Sequence, residues 1–188
     1  MSKASLIKKY TGELAKMMSD QDFCRYFGGG VEQKIVKYAD LKNYKTINDL
    51  LPLDKDYVVI LVESAKNSGH WTSVVKNGNK FTQFDPYGDG TIDDELKFIP
   101  DSVKRMLGEK PNELKRLFKT KLPGQTVEQN RVALQSKTPN VDTCGRWSIA
   151  FILMSQMGYS LPEFQKFIKD QCDATGKPSD IIICDFIK

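Results

Sequence analysis

The stretch YVVILV at residues 57–62 is a continuous run of β-branched and aliphatic side chains of strand length. A strand without polar alternation needs cover on both faces, so this run predicts a buried strand in the interior of a sheet. Two more strand-like runs follow at 70–75 and 80–85, separated by Asn77-Gly78-Asn79. This pattern favours a hairpin, in which His70 opens one strand and Asp85 closes its neighbour at the same end of the sheet.

The remaining segments indicate an α+β protein whose central sheet, mixed or antiparallel, is packed by helices. Apolar spacing predicts a helix over 2–19, and residues 31–52 indicate little regular structure. Further helices are predicted at 93–108, interrupted at Pro100, and at 112–119, 144–157 and from 161 onward, with a strand at 127–135 and a helix or strand at 181–187. We expect one domain over 1–188, made of an N-terminal helix and extended segment (1–52), a core (53–158) and a helical C-terminal segment (159–188).

Composition excludes several classes of function. Lys and Arg number 28 against 24 Asp and Glu, and this net charge of +4 is spread along the chain. It permits weak DNA association without implying it. The sequence has no apolar run of about 18 residues and no secretion signal, so we expect a soluble intracellular protein without membrane contact. The single histidine excludes zinc sites built on two imidazoles, and we expect neither a metal nor a cofactor.

Cys144 is the strongest candidate for a reactive group among the four cysteines, all of which are expected to be reduced. It stands where the loop at 139–143 meets the predicted helix, with Thr143 as a candidate N-cap. Backbone N–H groups and the helix dipole favour a thiolate there. Gly145 leaves room for a substrate beside the thiol. The alternative is that Cys144 is a small buried hydrophobic residue.

His70 is the only imidazole that can serve such a thiol. A Cys–His pair needs a third group to fix the orientation and tautomer of the ring, and the predicted hairpin delivers Asp85. Trp71 offers a wall that could exclude water and cover the substrate groove. Alternatively, His70 is an ordinary structural histidine, Asp85-Pro86 is a turn that leaves a strand, and Trp71 is core.

These residues carry a resemblance to adenovirus-type maturation proteases and their relatives, the SUMO-specific proteases. The motifs that carry it are GHW at 69–71, FDPYG at 84–88, PN at 139–140 and DTCG at 142–145. The chain more closely resembles the branch encoded by virophages, Polinton-type elements and large DNA viruses, in which segments similar to 35–41, 67–71 and 95–100 recur. The resemblance covers about residues 24–158.

The resemblance implies a papain-like α+β fold with rearranged chain order and a triad of His70, Asp85 and Cys144. It also implies a glutamine before the cysteine that donates to the oxyanion together with the backbone N–H of the nucleophile. Gln135 is the candidate, although it lies nine residues before Cys144, further than in the relatives. A longer loop at 136–138 could absorb the difference. Otherwise Gln129 or a backbone group serves, and Gln135 is a strand residue.

The implied function is a cysteine endopeptidase that cleaves viral capsid or core precursors at Gly-Gly-type sites during virion maturation. A deconjugating isopeptidase for ubiquitin-like proteins and a non-enzymatic capsid-assembly protein are the alternatives. We expect a monomer with a polypeptide substrate, located in the host cytoplasm, nucleus or virus factory or packaged in the virion. The sequence FGGG at 27–30 resembles sites that the family cleaves, but we favour a flexible turn after the first helix, because runs of glycine are common in loops.

Overall fold

A computed structural model describes residues 3–188 and contains a mixed five-stranded sheet in the order β1-β2-β3-β4-β5. The strands are β1 (Ile35–Lys37), β2 (Lys55–Ala65), β3 (Ser68–Asn77), β4 (Lys80–Phe84) and β5 (Thr126–Gln129). The three middle strands are antiparallel, whereas β1 and β5 run parallel to their neighbours. The predictions of a central mixed sheet and of an α+β fold are therefore confirmed.

The apolar run at 57–62 lies in β2, between β1 and β3. Its side chains alternate between two hydrophobic clusters on opposite faces of the sheet. Val59 and Leu61 join one cluster, and Val58, Ile60 and Val62 join the other. Burial of such a side chain contributes about 1.5–3 kcal/mol to folding. Both faces are covered, which explains why the run contains no polar residue.

The α-helices surround this sheet. They are α1 (Lys3–Leu14), α2 (Asp20–Phe27), α3 (Ile47–Leu50), α4 (Asp101–Leu107), α5 (Glu113–Phe118), α6 (Cys144–Gln156), α7 (Leu161–Thr175) and α8 (Ser179–Phe186). The apolar helix α6 packs against β3. Three 3-10 helices, at Val31–Lys34, Tyr38–Asn43 and Ile92–Phe98, complete the regular structure. None of the helices in residues 3–188 has the length and apolar character that crossing a membrane requires.

The structure corrects several predicted boundaries. The helix predicted over 2–19 ends at Leu14, and residue 2, its predicted start, lies outside the described residues. A second helix begins after Ser19, because the side chains and backbone of Ser19 and Asp22 form a capping box. The strand predicted over 127–135 ends at Gln129, and the segment predicted as helix or strand over 181–187 is helical up to Phe186, in α8. Thr143 occupies the predicted N-cap position of α6, but its hydroxyl forms no capping hydrogen bond and instead donates to Asp180 at 2.6 Å.

Candidate active site

The hairpin of β3 and β4 brings His70 and Asp85 together. Nε2 of His70 lies 2.9 Å from Oδ1 of Asp85, and the side chains are 13% and 2% exposed. The same carboxylate oxygen accepts the Tyr87 backbone N–H at 2.9 Å, and the Tyr87 ring stacks on the imidazole at a centroid distance of 4.5 Å. The Asn130 side chain donates to the carbonyl of Asp85 at 2.6 Å. The imidazole is thus held by an acid and by an aromatic ring.

Cys144 begins α6 and is buried beside this pair. The backbone N–H of Trp71 donates a hydrogen bond to the Cys144 sulfur at a distance of 3.5 Å. The thiol also lies close enough to the imidazole to raise the pKa of His70. Because Nε2 of His70 faces Asp85, Nδ1 is the ring nitrogen left for Cys144. The structure therefore brings the three predicted residues into one cluster, in the order acid, imidazole and thiol.

The electrostatics of this cluster favour a charged imidazole. Burial by itself lowers the pKa of His70, but the hydrogen bond to Asp85, the neighbouring Cys144 sulfur and the charge of Asp85 outweigh it and raise that pKa from 6.5 to about 10. Burial likewise works against the Asp85 carboxylate, yet the hydrogen bond and charge of His70 hold the pKa of Asp85 below its ordinary value. At neutral pH the site therefore contains an imidazolium paired with a carboxylate.

Gln135 reaches the same cleft from the loop between β5 and α6. It is buried, and its Nε2 donates to the carbonyl of Val141 at 2.9 Å. Its Oε1 is buried without a hydrogen-bond partner among the described residues. A side-chain amide has two N–H groups, so one remains to donate. Gln129, the alternative donor, lies in β5 opposite Gln83.

Two clefts meet at the Cys144 thiol. One, of about 290 Å³, is lined by His70, Gln135, Glu95 and other residues, and the second, of about 700 Å³, extends past Trp71. Cys144 and Met17 line both clefts, and the Met17 side chain is half-exposed. This layout leaves an open path on each side of the sulfur, which suits an extended chain that crosses it.

Trp71 and Gly145 take part in packing as well as in lining the clefts. Trp71 is 6% exposed, and its indole N–H donates to the carbonyl of Met18 at 2.8 Å. Its ring packs on Phe23 at a centroid distance of 4.9 Å. A Cβ at Gly145 would lie 2.5 Å from Cβ of Met18 and 3.2 Å from Cδ1 of Trp71. The space beside Gly145, which we expected to serve a substrate, is thus filled by the segment between α1 and α2.

Gly145→Ala is therefore expected to destabilise the protein by about 1–3 kcal/mol, the usual cost of overpacking. The added methyl group would push Met18 and the segment that carries it away from α6. Thermal unfolding measures the effect. Gly12→Ala in α1 is the control, since no atom lies within 4 Å of its added Cβ, and it is expected to stabilise by about 0.5–1 kcal/mol. Equal melting temperatures for the Gly145 variant and the parent protein would contradict this packing role.

Two residues of the site were not predicted for chemistry, Tyr87 and Glu95. Tyr87 stood in the FDPYG motif, but its stacking on His70 depends on the turn after β4. Glu95 opened one of the recurring segments and is only 8% exposed. Donor atoms of His70, Asp85 and Glu95 lie within 4.8 Å of one another, a spacing that a metal ion could bridge. His70 and Asp85 already satisfy each other directly, so this grouping alone does not define a metal centre.

Fold and site together define an α+β protein with a Cys–His–Asp cluster at the start of a buried helix. No family model matches the chain. It is 32% identical over 140 residues to the uncharacterized protein V9 of Sputnik virophage, an overlap of 74% of this chain and 77% of that protein. The chain belongs to the same family as that protein, which supports the expected virophage-related origin. The central domain of uncharacterized Lpg1148 protein from Legionella pneumophila is 15% identical, with a TM-score of 0.39 and coverage of 92% and 97% of the two chains.

Proposed function

We propose that the protein is a cysteine endopeptidase in which Cys144 is the nucleophile, His70 its acid–base partner and Asp85 the group that orients the imidazole. The observation that carries the proposal is the placement of these three side chains at the N-terminus of α6, with the pKa of His70 raised to about 10. An imidazolium beside the sulfur stabilises a thiolate, which is the reactive form of cysteine. The papain-like ancestry suggested by the sequence motifs is part of this proposal.

In the proposed reaction, the Cys144 thiolate adds to the carbonyl carbon of the scissile peptide bond and forms a C–S bond. The backbone N–H of Cys144 and the free amide N–H of Gln135 donate to the oxyanion. His70 gives its Nδ1 proton to the leaving amine as the C–N bond breaks, which leaves a thioester. Water then gives a proton to Nδ1 and its hydroxyl to the acyl carbon, and the C–S bond breaks to restore the ion pair.

The proposed substrates are capsid or core precursors, cleaved after Gly-Gly or a similar pair of small residues. Two features support this proposal. The relative in Sputnik virophage gives the chain a viral setting. Trp71 lines the larger cleft together with Cys144, and its bulky indole would leave more room for a substrate backbone than for large side chains.

The test is to incubate the protein with virophage capsid-protein precursors and to map new N-termini by mass spectrometry. We expect cuts after small-residue pairs. Replacing the glycine nearest the cut with valine should lower kcat/KM by more than the roughly 200-fold that one methylene group can cost in an open pocket. Cuts after large or charged residues would contradict the specificity. Release of intact ubiquitin-like modifiers, with no precursor cleavage, would favour an isopeptidase instead.

A further inference from the structure

Glu95 lies in a hydrogen-bonded turn beside the site. It is the third of three consecutive acids in the 3-10 helix at 92–98. Asp94 accepts the backbone N–H of Thr91 at 2.9 Å, and Asp93 accepts two backbone N–H groups at the start of α5, at 3.0 and 2.9 Å. These bonds anchor the turn on two sides. Glu95, by contrast, forms no salt bridge with a Lys or Arg in residues 3–188, and its carboxyl group lines the cleft of His70 and Cys144.

Asp85 has one oxygen that still needs a donor. Oδ1 is hydrogen-bonded to both the His70 ring and the Tyr87 backbone N–H. Oδ2 is buried and has no hydrogen-bond partner of normal geometry in the described part of the chain. A buried carboxylate oxygen without a donor costs free energy. The Glu95 carboxyl group is adjacent, with donor atoms of Glu95, Asp85 and His70 all within 4.8 Å of one another. A carboxyl group can fill this gap only when it carries a proton.

We infer that Glu95 is a positioning residue. Its protonated carboxyl group donates a hydrogen bond to Oδ2 of Asp85, so that Oδ1 remains hydrogen-bonded to His70. The inference rests on the proposed function, because it assigns Glu95 to the acid of the triad. Glu95 does not touch the reacting atoms in this role. Glu95 holds the Asp85 carboxylate in place, and this carboxylate orients the His70 imidazole.

The charges around Glu95 agree with this role. Burial and the Asp85 carboxylate raise the pKa of Glu95 to about 7, with a smaller contribution from Asp94 in the same direction, while the His70 imidazolium opposes them. Tyr87 is another titratable group beside Glu95, and the charge of Glu95 contributes to raising the pKa of Tyr87. The proton is therefore present below about pH 7 and lost above it. Its loss removes the donor to Oδ2 and adds a second negative charge, which binds the imidazolium proton more tightly.

The pH dependence of Cys144 reactivity tests the inference. We would measure, across pH 5–9, the rate at which iodoacetamide labels Cys144 and the kcat/KM for a fluorogenic Gly-Gly peptide. The parent protein should show an inflection near pH 7 in both profiles. Glu95→Gln keeps a neutral N–H donor that does not ionise, so its rates should stay within about twofold of the parent at low pH and lack the inflection. Glu95→Ala should be about tenfold or more slower than the parent below pH 7, where the parent still holds the proton, and should also lack the inflection; tenfold is the usual cost of losing a group that orients a functional residue.

Glu109→Gln is the matched control. Glu109 is also a buried carboxyl group with one satisfied oxygen, which accepts the Glu63 N–H at 2.9 Å, and one without a partner in the described structure. Burial raises the pKa of Glu109 too, but it does not line the two clefts at the thiol. Its variant should keep the inflection.

The two proposals fail in different ways. An inflection that persists in Glu95→Gln, or that disappears equally in Glu109→Gln, would overturn the role of Glu95. If no variant cleaves any peptide but the labelling profile changes as expected, the role of Glu95 stands and the endopeptidase proposal falls. Should Glu95→Ala fail to fold, the comparison of Glu95→Gln with the parent still decides the question.

Discussion

Cys144→Ala is expected to reduce peptide cleavage by on the order of 10⁵-fold or more, the size of effect seen when a serine protease loses its nucleophile. The reason is that the substitution removes the atom that forms the covalent bond. The fold should persist, because one sulfur is lost from a position at the edge of the cleft. Initial rates on a fluorogenic Gly-Gly peptide give the activity, and thermal unfolding gives the stability.

Labelling of the four thiols separates reactivity from accessibility in the same experiment. Iodoacetamide should modify Cys144 fastest, although Cys24 is the more exposed of the two. Burial and a hydrogen bond to the Glu32 carboxylate, at 3.3 Å, raise the pKa of Cys24. Burial raises the pKa of Cys184 to about 11, so that thiol should react slowest. Labelling in order of exposure, together with full activity of the alanine variant, would remove Cys144 from the mechanism.

The parts of the site that could be predicted from the sequence are those that local rules determine. The Gly78-Asn79 turn fixes the pairing of β3 with β4, and this pairing brings His70 and Asp85 to one end of the sheet. The apolar pattern of 144–157 likewise fixed α6 to within a residue of its observed end. A long run with one dominant hydrophobic periodicity leaves few alternative assignments of its secondary structure.

The parts that could not be predicted depend on contacts between distant segments. Strand β1 has three residues and is a strand only through its parallel pairing with β2. The role of Gly145 depends on Met18, which reaches it from the segment between α1 and α2. Glu95 meets Asp85 because the turn at 92–98 is anchored to α5, a contact that leaves no periodic signal in the sequence. The break before α2 did have a signal, the Ser19–Asp22 capping pair, which the apolar periodicity of Met17 and Met18 obscured.

Asp85→Asn is expected to lower kcat by up to about 10⁴-fold, the effect of the same change in a serine triad. The loss should be smaller than in a serine triad, because the proposed thiolate–imidazolium pair of the parent protein forms before the substrate reacts. The amide can still accept a hydrogen bond from His70, but the negative charge that favours the imidazolium is gone. The pKa of His70 should therefore fall well below its parent value of about 10. Because the chain has one histidine, its ring signals in an NMR titration need no further assignment.

The His70–Asp85 pair also determines how the free energy of unfolding changes with pH. The folded pKa of His70 lies above its unfolded value of 6.5, so its contribution is complete below 6.5 and is lost as the pH rises through about 10. The pKa of Asp85 is depressed, so its contribution is complete above the unfolded value of 3.8 and is lost in stronger acid. The stability advantage of the parent over Asp85→Asn should thus be largest between about pH 4 and 6.5. Asp56→Asn is the control, since it removes another buried carboxylate, paired with Lys34 at 2.6 Å, and should leave the His70 titration unchanged. A His70 midpoint that is the same in the parent and in Asp85→Asn would exclude Asp85 as the group that holds the imidazole charged.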